Sequence, residues 1–108
     1  VRTAETELLK TAIDKMEQQI ESNLSITELA KSLNVSLSSL KRVFKKYTGM
    51  SVYKYYLSIK IRTATLMLQS GMSVIEVSNK LGFSSPAYFS AAYKRETGCN
   101  PSSDIPKN

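Results

Sequence analysis

The 108-residue sequence contains no histidine, no tryptophan and one cysteine, Cys99. A single cysteine excludes an internal disulfide, and the lack of histidine removes the commonest metal ligand and the commonest general base. The sequence also lacks metal-ligand spacings, phosphate-binding glycine loops and nucleophile motifs, so we expect no enzymatic activity, no metal site and no cofactor. It has neither an apolar run long enough to span a membrane nor a secretory signal pattern, and we therefore expect a cytoplasmic protein.

The composition, with 42% hydrophobic and 22% charged residues, predicts a single domain over residues 1–108. Its net charge of +6 is unevenly distributed. Residues 1–24 have a balance of −2, residues 25–72 a balance of +7 and residues 73–108 a balance of +1. The basic middle segment favours a polyanionic partner, although a basic cluster is also typical of a solvated helix face.

Apolar residues recur at helical spacing throughout the chain, and no strand is required. We predict a first helix over residues 4–22 and a short second helix from Ile26 to about Asn34, opened by a Ser25–Glu28 capping box. Ser36 is the next N-cap, and Gly49 ends the longer helix that follows. Residues 51–70 contain no proline or glycine and predict one continuous helix.

A second capping box, Ser73 to Glu76, repeats the first one further along the chain and reveals a duplication. Residues 74–98 align with 26–49, with one inserted residue after Ser84, which pairs with Ser36. Each copy reads as a short capped helix, a tight turn and a longer helix. This is the helix-turn-helix arrangement, whose second helix enters the DNA major groove.

The predicted helix between the two copies has roughly 20 residues and a length of about 30 Å. One turn of DNA measures about 34 Å, so such a helix suits two reading helices in successive major-groove segments of one duplex. The alternative is that the helix is only the core rod of a bundle, with its length set by packing.

These motifs together resemble the DNA-binding domain of AraC/XylS transcriptional regulators over roughly residues 5 to 103. The residues that carry the resemblance are Glu28-Leu29-Ala30, Leu33, Leu40, Phe44-Lys45-Lys46-Tyr47, Gly49-Met50-Ser51, Tyr55, Ile61, Ala64, Glu76-Val77, Leu81-Gly82-Phe83-Ser84-Ser85, Tyr88-Phe89, Tyr93-Lys94, Gly98 and Pro101-Ser102.

The resemblance implies an all-α fold with two homeodomain-like helix-turn-helix lobes, residues 5–50 and 73–104, joined by a linker helix over 51–70. About seven helices are expected. The implied function is sequence-specific binding of double-stranded promoter DNA by a transcription regulator, with RNA polymerase as a further partner. The family usually carries a separate effector or signalling domain, and its absence from this sequence leads us to expect a fragment of a longer protein.

Carried over residue by residue, the resemblance implies that the first recognition helix presents Ser38, Lys41 and Arg42 to base edges. Lys45 and Lys46 would lie closer to phosphates. Arginine and lysine suit these roles because they donate to guanine O6 and N7, whereas a serine hydroxyl discriminates little between bases.

The second recognition helix departs from the family pattern, because Ala91 stands where an arginine is frequent. Its corresponding DNA-binding residues are Pro86, Ala87, Ser90, Ala91 and Lys94. The alanines offer only methyl contacts to thymine, and Lys94 offers a phosphate contact. We expect the first lobe to specify sequence and the second to position the protein and read DNA shape. Because the second recognition helix has few hydrogen-bond donors, an alternative stays open, namely a helical protein-interaction module with weak or lost DNA readout.

Three further observations concern packing. Tyrosines recur beside aliphatic residues at helical spacing, and we expect them to be buried or half-buried rather than base-stacking: Tyr53, Tyr55, Tyr56, Tyr88 and Tyr93. Lys60 stands where the family often has arginine, which should keep the charge but lose bidentate pairing. Asp104 stands where a tyrosine is common, so the final helix should be short.

Overall fold

The computed structural model describes residues 3–107, and all regular structure in that range is helical. Its elements are α1 (Ala4–Gln18), α2 (Ile26–Ser32), α3 (Leu37–Thr48), α4 (Val52–Gln69), α5 (Val74–Lys80), α6 (Pro86–Thr97) and a 3-10 helix (Pro101–Asp104). This order confirms the all-α fold with about seven helices. None of the helices within residues 3–107 is long and apolar enough to cross a bilayer.

The chain divides into two compact units. The first unit takes in the residues up to 20 together with 24–57, and the second takes in 21–23 together with the residues from 58 onward. Helix α4 contributes residues to both units. The predicted subdivision into residues 5–50, 51–70 and 73–104 stays a prediction.

The core of the first unit consists of one apolar face from each of its helices. The buried side chains are Ala12, Met16, Leu29, Ala30, Leu40, Val43, Phe44, Val52, Tyr56 and Leu57. The ring of Phe44 meets that of Tyr55 edge-on, with 5.6 Å between the centroids. The Tyr56 hydroxyl donates to the Gln19 carbonyl at 2.6 Å, just where α1 ends. The prediction that this helix reaches residue 22 was wrong, because Gln19 is already its C-cap.

The second unit is built around the buried faces of α5 and α6. Its core side chains are Ile59, Ile61, Ala64, Leu68, Val77, Leu81, Phe89, Ala92 and Tyr93. The Tyr93 hydroxyl lies 2.8 Å from the Thr65 hydroxyl and donates to the Asp104 carboxylate. Asp104, which ends the 3-10 helix, is thus hydrogen-bonded to Tyr93 of α6. This 3-10 helix has four residues, which confirms that the final helix is short.

The duplication is visible in the backbone of each unit. Helices α2 and α5 both have 7 residues, and α3 and α6 both have 12. In both copies the residue after the C-cap of the short helix is left-handed, Asn34 at φ 56° and Gly82 at φ 75°. A Cβ at position 82 would lie 3.4 Å from the Glu21 carbonyl oxygen, so glycine also suits the close packing there.

The structure differs in detail from one predicted cap and from the predicted alignment of the two copies. At the start of α2, the Ser25 hydroxyl accepts the Glu28 amide at 3.3 Å, and this is the one bond that the cap shows. Of the two predicted capping boxes, the one formed by Ser73 and Glu76 has both reciprocal bonds. The alignment paired Ser84 with Ser36 and placed the inserted residue after Ser84, but the N-cap of α6 is Ser85, so the additional residue of the second copy precedes the cap. The turn between the short and long helices is therefore one residue longer in the second copy.

Lys60 is buried, with 5% of its surface exposed. Its ammonium donates to the Ser22 carbonyl at 2.6 Å and to the carbonyl of Leu81, the C-cap of α5. Burial lowers the pKa of Lys60 from 10.5 to about 8. The residue therefore ties segment 21–23 to the end of α5.

The lowered pKa of Lys60 predicts that stability depends on pH. Between pH 8 and 10.5 the unfolded chain holds a proton that folded Lys60 has lost. The free energy of unfolding should therefore rise across this interval, by roughly 1 to 3 kcal/mol from this residue alone. Urea unfolding of wild type and Lys60→Met at pH 7.5 and 10 measures the effect, and the variant should lack this part of the rise. Equal pH responses would contradict the assignment.

The Ser78 hydroxyl is fully buried, and no described group forms a hydrogen bond with it. The corresponding residue of the first copy is Ala30. Ser78→Ala should therefore raise the free energy of unfolding by about 1 kcal/mol, because it removes an unsatisfied hydroxyl. The matched reverse change, Ala30→Ser, should lower it. Chemical denaturation of both variants measures these effects, and destabilisation by Ser78→Ala would show that the hydroxyl has a partner.

Candidate nucleic-acid interface

Helix α3 is fixed at both ends by its own sequence. At its start the Ser36 hydroxyl accepts the Ser39 amide at 3.1 Å and donates to the Ser39 hydroxyl at 2.9 Å. At its end Gly49 has φ 73°, and its amide donates to the Lys45 carbonyl at 3.1 Å. Glycine adopts this left-handed conformation without steric cost, so the chain can leave the helix direction at Gly49.

The orientation of α3 follows from its buried stripe. Leu40, Val43 and Phe44 are each at most 1% exposed. Because successive helical residues are 100° apart, this stripe directs the opposite face of the helix into solvent. All five residues predicted to bind DNA on this helix lie exposed: Ser38, Lys41, Arg42, Lys45 and Lys46.

The exposed face of α3 has four cations and no acidic residue of its own. The Lys45 ammonium donates to the Gly49 carbonyl at 3.2 Å, so it sits at the C-terminal end of the helix, where the backbone dipole favours a cation. This surface offers guanidinium and ammonium donors to a polyanion.

A carboxylate from α1, that of Glu5, contacts this cationic surface. Glu5 Oε2 accepts from Arg42 Nη1 at 2.6 Å, and Glu5 Oε1 accepts from Lys46 Nζ at 2.8 Å and from the Tyr47 hydroxyl at 3.1 Å. These hydrogen bonds, that of Lys46 foremost, lower the pKa of Glu5 to about 2. Glu5 in turn raises the pKa of Lys46. We call these four residues the Glu5 cluster.

Sequence reasoning missed Glu5 and Tyr47 as members of this site. Glu5 is 37 residues away from Arg42 in the chain, and helical periodicity relates only near neighbours. The available signal was the charge contrast, since an acidic first helix precedes the basic helix-turn-helix. That contrast identifies no individual pair.

Helix α6 holds the corresponding position in the second copy. Its N-cap Ser85 accepts the Tyr88 amide at 3.0 Å, and Pro86 opens the helix. Phe89, Ala92 and Tyr93 are fully buried. Of the predicted DNA-binding residues, Pro86, Ala87, Ala91 and Lys94 lie exposed and Ser90 is partly exposed.

The two long helices thus share a backbone design but differ in surface chemistry. The last turn of α6 carries Lys94 and Arg95, with Arg95 Nε lying 3.7 Å from Glu96 Oε2. The rest of the exposed side chains predicted for this helix offer one hydroxyl and no charge. The five residues predicted to bind DNA on α6 are therefore poorer in hydrogen-bond donors than the five predicted on α3.

The tyrosines follow the packing prediction only in part. Tyr56 and Tyr93 are buried and Tyr55 is partly exposed. Tyr53 and Tyr88 are instead 48% and 40% exposed. For those two the prediction of burial was wrong, because helical spacing beside aliphatic residues also places residues at the margin of an apolar face. Across residues 3–107, histidine, cysteine and carboxylate side chains form no group of three that could hold a metal ion.

Known proteins with similar sequences and structures identify this architecture. A family model described as a helix-turn-helix domain matches residues 29–104. The transcriptional regulator GbdR of Pseudomonas aeruginosa is 38% identical over 94 residues, which cover 86% of this chain and 26% of GbdR. The Msm operon regulatory protein of Streptococcus mutans is 36% identical over 85 residues, 78% of this chain and 31% of that protein. The chain thus spans less than a third of either relative.

A solved structure agrees with these sequence matches. The crystal structure of an AraC-type transcriptional regulator from Chromobacterium violaceum superposes with a TM-score of 0.88 and 32% identity, covering 95% of this chain and 93% of that one. The fold and the sequence therefore point to one family. The chain belongs to the AraC-type helix-turn-helix family of transcription regulators and is a DNA-binding domain of that type.

Proposed function

We propose that α3 is the sequence-reading helix of this domain. The observation that carries the proposal is its exposed face, which has four cations opposite a fully buried stripe. Lys41 and Arg42 donate to guanine O6 and N7, and Ser38 contacts a base edge with little discrimination. Lys45 and Lys46 bind phosphates and contribute affinity that does not depend on sequence.

We propose a different role for α6. Ala87 and Ala91 contact thymine methyl groups, Lys94 binds a phosphate, and Pro86 and Ser90 lie along the same surface. These contacts carry little hydrogen-bond readout. The second unit therefore positions the protein on the duplex and responds to DNA shape.

We further propose that both long helices occupy successive major-groove segments of one promoter site. Helix α4 has 18 residues and hence a length of about 27 Å, comparable to the pitch of about 34 Å for one DNA turn. Selection of bound duplexes from a random pool tests this idea. Two half-sites about one turn apart are expected, whereas a single short site would contradict it.

The remaining partners follow from the family. We propose that the full-length protein carries an effector or signalling domain, that it acts with RNA polymerase on promoter DNA in the cytoplasm, and that this domain itself catalyses no reaction. The relatives named above are about three to four times as long as the matched region, which supports a second functional region.

Substitutions in α3 should separate base readout from phosphate binding. Arg42→Ala should cost about 1 to 3 kcal/mol of binding free energy on the selected site and relax its base preference. Lys45→Ala should weaken binding to all sequences alike and flatten the dependence of log K on log salt by about one unit. Fluorescence anisotropy with selected and random duplexes at several salt concentrations measures both effects. Equal losses on both duplexes for Arg42→Ala would reject its assigned role.

An operator with its half-sites exchanged should show which unit specifies sequence. Base substitutions in the half bound by α3 should each cost about 1 to 3 kcal/mol, and those in the half bound by α6 should cost less. Exchanging the halves should move the sensitive positions with the α3 site. Greater base discrimination in the half bound by α6 would contradict the proposed division of roles. In a gel-shift experiment at physiological salt, failure of the protein to retard any duplex would favour the alternative, a protein-interaction module.

A further inference from the structure

The Glu5 cluster places an acidic residue against two of the proposed DNA-binding cations. Glu5 belongs to α1, outside the helix-turn-helix motif, yet its two oxygens engage Arg42 and Lys46 separately. The Arg42 and Lys46 side chains stay 61% and 55% exposed, whereas Glu5 is 29% exposed. Both cations are thus accessible to DNA while they contact the carboxylate.

We infer that Glu5 is a specificity-determining residue, which holds the Arg42 guanidinium for base readout and lowers the affinity of α3 for DNA of any sequence. The inference rests on the proposed role of α3 in reading DNA. It assigns a function to a residue that never needs to touch a base.

The contact with Glu5 restrains the orientation of the Arg42 guanidinium. The contact with Glu5 uses Nη1, and the N–H groups on Nη2 and Nε can still donate to an acceptor pair on a guanine. An arginine held at one end loses less conformational freedom when it meets a base. The hydrogen bond to Glu5 also disfavours the other orientations of the Arg42 side chain, in which its guanidinium would contact a phosphate.

The negative charge of Glu5 also weakens binding that has no sequence preference. With a pKa of about 2, Glu5 is ionised at every pH at which DNA binding is measured. A phosphate approaching Lys46 must compete with this carboxylate, and each cation paired with it contributes less to counterion release. The penalty applies to every duplex, whereas the positioning gain applies only to a site with a guanine in reach. Glu5 therefore raises the ratio of specific to random affinity.

The test uses Glu5→Gln, which removes the charge while keeping the size of the side chain. Binding to a random duplex should tighten by on the order of threefold to tenfold, and the salt dependence should steepen by up to about one unit. The ratio of specific to random affinity should fall by a similar factor. The matched control is Glu17→Gln, the same charge removal at an exposed position near the C-terminal end of α1, which should change neither quantity as much.

A double-mutant cycle with Arg42→Ala isolates the positioning contribution. When Arg42 is absent, Glu5→Gln should no longer lower the specificity ratio, although it should still tighten random binding through Lys46. Thermal unfolding of each variant accompanies the titrations. If Glu5 only stabilises the packing of α1 on α3, Glu5→Gln should lower the melting temperature and weaken binding to both duplexes in parallel. That outcome would overturn the inference.

The outcomes for this inference and for the proposed function are distinct. A wild-type protein with equal affinity for selected and random duplexes would overturn the reading role of α3 and the inference with it. A wild-type protein with a high ratio that Glu5→Gln leaves unchanged would overturn the inference alone. A fall in the ratio with tighter random binding, absent in the Glu17→Gln control, would support both.

Discussion

The structure depends most on the burial of one face of α3. Leu40, Val43 and Phe44 lie in the core of the first unit. A rotation of the helix about its axis that buried the cations would bring these three side chains into solvent. Burying three such residues contributes several kcal/mol, far more than any single surface charge contact. The position of the cationic surface of α3 is therefore fixed by hydrophobic packing, and electrostatics acts on a helix whose orientation is already set.

The two copies show how one backbone supports two different surfaces. Left-handed residues at Asn34 and Gly82, serine N-caps at Ser36 and Ser85, and long helices of equal length reproduce the same local geometry. These features involve backbone groups and buried side chains, which leave the exposed positions free to change. The donor-rich face of α3 and the donor-poor face of α6 are consistent with that freedom, because the core side chains of each helix lie on its opposite, buried face.

Sequence reasoning predicted features that depend on residues close together in the chain. The start of α2 at Ile26, the Ser36 cap and the left-handed Gly49 each follow from neighbours within about four positions. It did not predict contacts between residues that are far apart in the chain. The Tyr56 hydroxyl that meets the end of α1, the buried Lys60 ammonium and the Glu5 cluster join residues 21 to 42 positions apart, and nothing in the local pattern selects one such pair over another.

The Glu5 cluster shows why net charge is a poor measure of a DNA-binding surface. The basic segment alone would give strong attraction to any duplex, and such attraction competes with recognition because random sites far outnumber the specific one. In its proposed role, Glu5 reduces this attraction beside α3 while Arg42 and Lys46 stay exposed. That role belongs to this carboxylate and not to the net charge of the N-terminal segment, because Glu5 is the residue that contacts both cations.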